Sequence, residues 1–161
     1  MRRLRADDWE LAKCVRLAAL ADAPHAFAST LAEELVFSEA CWRERAASSA
    51  QGVATVSFFA VREDIPCGMV VGVRAADGTS VTLNALWVAE NVRRRGVARA
   101  LIEAVCAWAR ERGAKRVLLD VTEVSGPAIA TYRAAGFEEI AGARGECGAR
   151  RAPSLHMQRY V

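Results

Sequence analysis

Two strand-like runs, residues 81–88 and 117–122, flank an 18-residue run of helical period, residues 96–113. A strand, a helix and a strand in that order force a crossover connection, so the two strands lie parallel in one sheet. The helix carries Val97, Ala100, Leu101, Ala104, Val105, Trp108 and Ala109 on one face, with Arg99, Glu103, Arg110 and Arg112 mostly elsewhere. Gly113 stands where a left-handed residue closes a helix. Between the first strand and the helix lies Arg93-Arg94-Arg95-Gly96-Val97-Ala98, a basic, glycine-bearing turn. Such a turn gathers free backbone N–H groups and a helix N-terminus at one point, which is a pocket for phosphates.

The rest of the chain supplies further strands and helices. Residues 2–5 make a short first strand. Asp7 offers an N-cap, and Trp9, Leu11, Ala12, Val15, Ala18 and Ala19 form a helical stripe ending near Asp22. Ala23-Pro24-His25 breaks it. Thr30-Leu31-Ala32-Glu33 has the form of a capping box, and Ser38 caps a continuation through Trp42 to Ala50. Residues 53–61, 67–74 and 79–88 form an antiparallel meander, with Asp77-Gly78 as a hairpin signal. Ser125 or Gly126 opens a short helix that ends at Gly136, with Pro127 in its first turn. Residues 137–141 and 155–160 make a final strand pair around a Gly/Arg loop, residues 142–153. With 161 residues and no linker or repeat, the chain reads as one α+β domain, 1–161, with a mixed sheet.

Composition removes several classes of function. Hydrophobic residues make up 53% and charged residues 25%, which argues against disorder. A net charge of +3 is too balanced for nucleic acid as the main partner. No run approaches the ~18 apolar residues of a membrane span, so no membrane partner is expected. The five cysteines form no CxxC or Cys/His cluster, so neither a disulfide framework nor a metal site is expected. Four of them sit in apolar contexts; Cys147 is read as an inert loop thiol. A reduced cytoplasm is the expected location.

Within the run Leu86-Trp87-Val88-Ala89-Glu90-Asn91-Val92-Arg93-Arg94-Arg95-Gly96-Val97-Ala98, residues Arg93, Gly96 and Ala98 fill a Q/R-x-x-G-x-G/A signature. Downstream, Ala128, Tyr132 and Gly136-Phe137 have the spacing of an N-x-x-A-x-x-x-Y-x-x-x-G-F pattern, with Ser125 at the Asn position. Together with the order of elements over nearly the whole chain, these stretches resemble the GNAT superfamily of N-acetyltransferases. The resemblance implies a mostly antiparallel central sheet flanked by helices, whose parallel strand pair splays apart. It implies acetyl-CoA as co-substrate, no metal, and a small-molecule or peptide amine as acceptor. Pairing of two copies is open. The residues implied to bind acetyl-CoA are Leu86, Trp87, Val88, Arg93, Arg94, Arg95, Gly96, Val97, Ala98, Arg99, Ser125 and Ala128. A strand N–H near Leu86 to Val88 would polarise the thioester carbonyl.

The resemblance assigns Tyr132 as donor to the departing thiolate. Asp120 is the candidate general base, with solvent water and a purely structural strand carboxylate as the open alternatives: it shares a strand face with Leu118 and Thr122, and it precedes Tyr132 by the base-to-acid spacing of ribosomal-protein N-terminal acetyltransferases in this superfamily, where the base is a Glu. Asn84, where many members carry a carboxylate, cannot accept a proton. Neither His25 nor His156 has an acidic neighbour in sequence, so both read as structural or surface residues. Glu33 and Glu34 could attract a cationic acceptor or simply form a solvated helix face. Two functions stay open: an acetyltransferase acting on a primary amine, or a module that holds acyl-CoA as a sensor with little transfer.

Overall fold

The structure, a computed structural model, describes residues 1–63, 65–147 and 152–161. Its strands are β1 (Arg2–Arg3), β2 (Thr55–Arg62), β3 (Ile65–Arg74), β4 (Ser80–Val88), β5 (Arg116–Thr122), β6 (Glu138–Cys147) and β7 (Ala152–Tyr160). They form one seven-stranded sheet in the order β1-β2-β3-β4-β5-β7-β6. Only β4 and β5 run parallel; every other neighbouring pair is antiparallel. The helices are α1 (Trp9–Asp22), α2 (Leu31–Leu35), α3 (Glu39–Gln51), α4 (Val97–Glu111) and α5 (Gly126–Ala134). This is the mixed, mostly antiparallel α+β architecture expected from the crossover.

The helix that makes the crossover also makes much of the core. α4 buries Leu101, Ile102, Val105, Cys106, Trp108 and Ala109. These side chains pack with Val56, Val70, Val81, Leu83, Val117 and Leu119 of the sheet. Each such large aliphatic side chain contributes about 1.5–3 kcal/mol on burial. A second cluster joins Val15, Ala19 and Leu20 of α1 to Phe59 of β2 and Met69 of β3. No described helix is long and apolar enough to cross a membrane.

Caps behave largely as the sequence requires. Thr30 and Glu33 close a reciprocal capping box on α2, and Ser38 accepts from the Cys41 N–H at the head of α3. At α1 the cap position falls on Asp8 rather than Asp7, and no side chain caps the helix. The Asp8 carboxylate instead accepts from the Arg5 N–H at 2.8 Å and pairs with Arg2.

The larger correction concerns the C-terminal hairpin. Most of the expected loop, residues 142–153, belongs to β6 and β7, which run to Cys147 and from Ala152; residues 148–151 lie outside the described residues. Glycine and arginine weaken a strand signal, but the ladder to β7 holds them, with Arg144 opposite Leu155 and Gly145 opposite Ser154. Cys147 is therefore a half-buried strand residue rather than a loop thiol.

Candidate active site

The sheet opens at its centre. β4 and β5 pair at Ser80 with Arg116, Val81 with Val117 and Thr82 with Leu118. Past Thr82 no further pairing joins them among the described residues, although β4 continues to Val88 and β5 to Thr122. Each remains bound on its outer side, β4 to β3 and β5 to β7. The inner edges of the fork therefore present backbone groups that have no ladder partner across it.

A bulge re-aims the β4 edge of that fork. Pairing with β3 steps from Val71 and Asn84 to Met69 and Trp87, so three residues of β4 advance against two of β3. Ala85 absorbs the extra residue at φ 53°. A non-glycine residue in that region costs of order 1–3 kcal/mol, and such strain persists only where surrounding structure holds it. The bulge lies directly before Leu86, Trp87 and Val88, the stretch from which a carbonyl-polarising N–H was expected.

Beyond β4 the chain turns through a short 3-10 segment, Glu90–Val92. Arg94 and Gly96 then adopt left-handed backbone, at φ 61° and 79°. The first bond of α4 runs from the Ala100 N–H to the Gly96 carbonyl at 3.0 Å. Among the described residues, the N–H groups of Arg94, Arg95, Gly96, Val97, Ala98 and Arg99 therefore have no partner. Six consecutive free donors at a helix N-terminus make a cradle of the kind suited to an anion. A Cβ on Gly96 would meet no protein atom within 4 Å, so its left-handed backbone, not crowding by the protein, demands glycine there.

The side chains of this loop divide into two sets. Arg94, Arg95 and Arg99 are exposed and form no salt bridge among the described residues. Arg93 is tied down: its Nε donates to the Val88 carbonyl at 2.9 Å, and its guanidinium pairs with Asp22 at the end of α1. The same Asp22 accepts from Trp87 Nε1 at 2.8 Å. The Arg93 and Trp87 side chains thus fasten the cradle to α1.

Across the fork, α5 starts at the end of β5. The Ser125 and Thr122 hydroxyls share a hydrogen bond of 2.5 Å, and the Ser125 N–H donates to the Thr122 carbonyl. Ser125 is thereby spent on the turn into α5. Ala128 packs at the margin of the core. Tyr132 is buried against Phe137, with ring centroids 5.8 Å apart and edge-on. Its hydroxyl has no hydrogen-bond partner among the described residues. Burial pushes its pKa well above the ordinary phenol value, and nearby Cys147 pushes in the same direction. A tyrosine in that state keeps its proton and can offer it as a hydrogen-bond donor.

Asp120 stands two residues past the last parallel pair. β7 brings His156 directly opposite, and its Nδ1 lies 2.5 Å from Asp120 Oδ1. The sequence reading set His156 aside for want of an acidic neighbour; the neighbour arrives through antiparallel register, 36 positions away in the chain. Cys147 lies on the same side. Burial raises its thiol pKa, and the Asp120 charge adds to that, against the neighbouring Ser154 hydroxyl.

Glu33 and Glu34 do not present free carboxylates. Glu33 is spent on the α2 capping box. Glu34 is buried, held bidentately by Arg16 at 2.7–3.1 Å and approached by Arg45 at 3.4 Å. Burial pushes its carboxyl up, but the bonds from Arg16 and Ser29 and the charges of Arg16 and Arg45 outweigh that and hold it below the ordinary value. A cavity of about 500 Å³ beneath α1 and α3 is lined by Arg16, Arg45 and Trp42 and reaches Asn84 and Ala85 at the bulge.

The model of the acetyltransferase (GNAT) family matches residues 17–137. The chain belongs to that family. A streptothricin acetyltransferase of Streptomyces lavendulae is 42% identical over 57 residues, covering 35% of this chain and 30% of that protein. The chain thus matches about a third of that relative's length. The crystal structure of a nourseothricin acetyltransferase superposes with a TM-score of 0.61 at 30% identity, covering 67% of this chain and 66% of that one. A phosphinothricin acetyltransferase from Sinorhizobium meliloti, solved in complex with AcCoA, shares the fold over 99% of this chain and 86% of its own, with a TM-score of 0.78 at 20% identity.

Proposed function

We propose that this GNAT-family chain transfers an acetyl group from acetyl-CoA to a primary amine. The reading rests on one juxtaposition: six unpartnered N–H groups at the head of α4, beside a fork in the sheet. The groups present fit acetyl-CoA. Backbone donors of residues 94–99 would hold the pyrophosphate, and the exposed Arg94, Arg95 and Arg99 side chains add charge. Leu86, Trp87 and Val88 would line the fork along the pantetheine arm. Acetyl-CoA supplies a thioester, whose carbonyl an amine can attack and whose sulfur leaves as a thiolate.

The protein's own groups divide the work. A β4 N–H made available by the bulge at Ala85 stabilises developing negative charge on the carbonyl oxygen. Tyr132 donates a hydrogen bond to the departing sulfur, and its raised pKa keeps the proton on the phenol oxygen. The amine's proton leaves on the Asp120 side of the fork. Streptothricin, nourseothricin and phosphinothricin, the compounds after which these relatives are named, make small molecules the first class to test.

The experiment is thiol release from acetyl-CoA across a panel of small amines, amino acids, polyamines and peptides, with the product checked by mass. Thiol release with matching acetylated product is expected. Acetyl-CoA binding without thiol release for every amine would favour the sensor reading.

A further inference from the structure

We infer that the proton acceptor of this site is the imidazole of His156, oriented by Asp120, rather than Asp120 itself. The inference deepens the acetyl-transfer reading and rests on it. Asp120 and His156 are direct cross-strand partners, so their side chains rise from one face of the sheet. Nδ1 lies 2.5 Å from Oδ1. An ionised carboxylate only accepts, so Nδ1 carries the hydrogen, and in the neutral ring the lone pair is on Nε2. The basic atom is then Nε2, and Asp120 is a positioning residue.

Two further observations converge on this ring. Gly145 of β6 leaves room for it: a Cβ there would come 2.6 Å from Nε2 and 3.2 Å from Cε1. Any larger residue would displace the imidazole. His156 and Asp120 also line a cavity of about 150 Å³ together with Thr82 and Leu118, the last pair before the strands part. Nδ1 faces Asp120 of β5 and Nε2 faces Gly145 of β6, so a bridging water links Nε2 to the fork; both side chains keep contact with solvent, at 34% and 46% exposure. The titratable groups that share this face are Asp120 and Arg116 from β5, Tyr160 from β7, and Cys147 and Glu138 from β6; Tyr132 of α5 packs with the opposite face of β5 and lies beyond Cys147. β4 presents Thr82 and Asn84, which do not titrate near neutrality. Arg144 and Glu146 flank Gly145 and by strand alternation point to the other side, where Arg144 pairs with Glu123.

The step balances with solvent. The lone pair of a neutral amine forms the N–C bond, the C–S bond breaks with its electron pair on sulfur, and Nε2 takes a proton from the nitrogen through a bridging water. The departing thiolate accepts a hydrogen bond from the Tyr132 hydroxyl, which keeps its proton; solvent removes the proton from the imidazolium and protonates the released thiolate.

The first test needs no substrate. Nitrogen NMR of the free protein should find neutral His156 with its hydrogen on Nδ1, and Asp120→Ala should shift it toward Nε2. A wild-type ring with its hydrogen on Nε2 would overturn the proposal. The second test is kinetic, with an acceptor found in the amine panel. His156→Gln keeps a donor for Asp120 but removes the base, and should lower turnover at pH 7 by about 10²-fold or more. Its KM for acetyl-CoA should stay near wild type, and added imidazole should partly rescue His156→Ala. Asp120→Ala should cost less, because the ring keeps its base and loses only the group that orients it. Wild-type turnover in folded His156→Gln would return the base to Asp120. A chain that acetylates no amine fails the functional reading, while the tautomer measurement still decides the pair.

Discussion

Tyr132 illustrates how one residue's surroundings choose its chemistry. A phenol in water titrates near ~10. Here burial lifts it well above that value, with Cys147 adding to the shift. The hydroxyl therefore stays protonated through the whole working range, so the donor role proposed for it would not fade at mildly alkaline pH. Tyr132→Phe removes only the hydroxyl and keeps the edge-on packing on Phe137. We expect turnover to fall roughly tenfold or more, the worth of a hydrogen bond to a charged group. Acetyl-CoA affinity by calorimetry should be unchanged. Equal turnover in the two proteins would reduce Tyr132 to a packing residue.

At the scale of elements, two polar ties set where α1 and α2 sit. Asp22 ends α1 and binds both Trp87 of β4 and Arg93 of the cradle. Both partners of the ion pair are partly exposed, so the tie adds only about 0–1 kcal/mol of stability. Its larger effect is to hold the loop. We expect Asp22→Ala to weaken acetyl-CoA binding roughly tenfold, about 1.4 kcal/mol, with little change in melting temperature. Glu34 is the opposite case. Its side chain is 2% exposed, and it joins α2 to Arg16 of α1 and Arg45 of α3. Breaking a buried pair by removing one charge typically costs about 3–5 kcal/mol, so Glu34→Gln should destabilise the chain by that order in urea. The folded carboxyl is held below its ordinary value. Its contribution is thus fully present above the unfolded value of about 4.3 and is lost as pH falls through the folded one. The gap between wild type and Glu34→Gln should close over that acid window; a gap constant from pH 7 to pH 3 contradicts the ion-pair account.

Taken whole, the molecule is a sheet held together at both outer sides and open in the middle, with the cradle at one prong. Ligand binding should therefore register as global stability. Acetyl-CoA at a hundred times its dissociation constant adds about 2.7 kcal/mol. For a chain of this size that is a rise of about 5–11 °C in melting temperature, at ~2–4 °C per kcal/mol. Gly96→Glu sets a side chain and a negative charge beside the six free N–H groups, on backbone at φ 79° that resists any side chain. It should abolish the shift at the same ligand concentration. Differential scanning measurements with and without acetyl-CoA check both statements. A full shift in folded Gly96→Glu would place the phosphates elsewhere.

Local physics made much of this legible in the sequence. The crossover, the α4 stripe, the capping box at Thr30 and the glycine turn at Gly96 each depend on residues within one or two turns of each other, so their spacing carries the message. The cradle was readable for that reason, and so was the position of Tyr132 before Gly136. What required the tertiary structure involves partners far apart in the chain. Asp120 finds His156 only because β7 returns antiparallel in one register, and a slip of one residue would put the imidazole on the opposite face. Arg93 turns from expected phosphate contact to fastening because Asp22 arrives from α1. Glu34 changes from solvated face to buried ion pair because Arg16 and Arg45 converge on it. The hairpin of β6 and β7 outran its weak strand signal because a ladder bonds backbone groups, which glycine and arginine possess like any other residue.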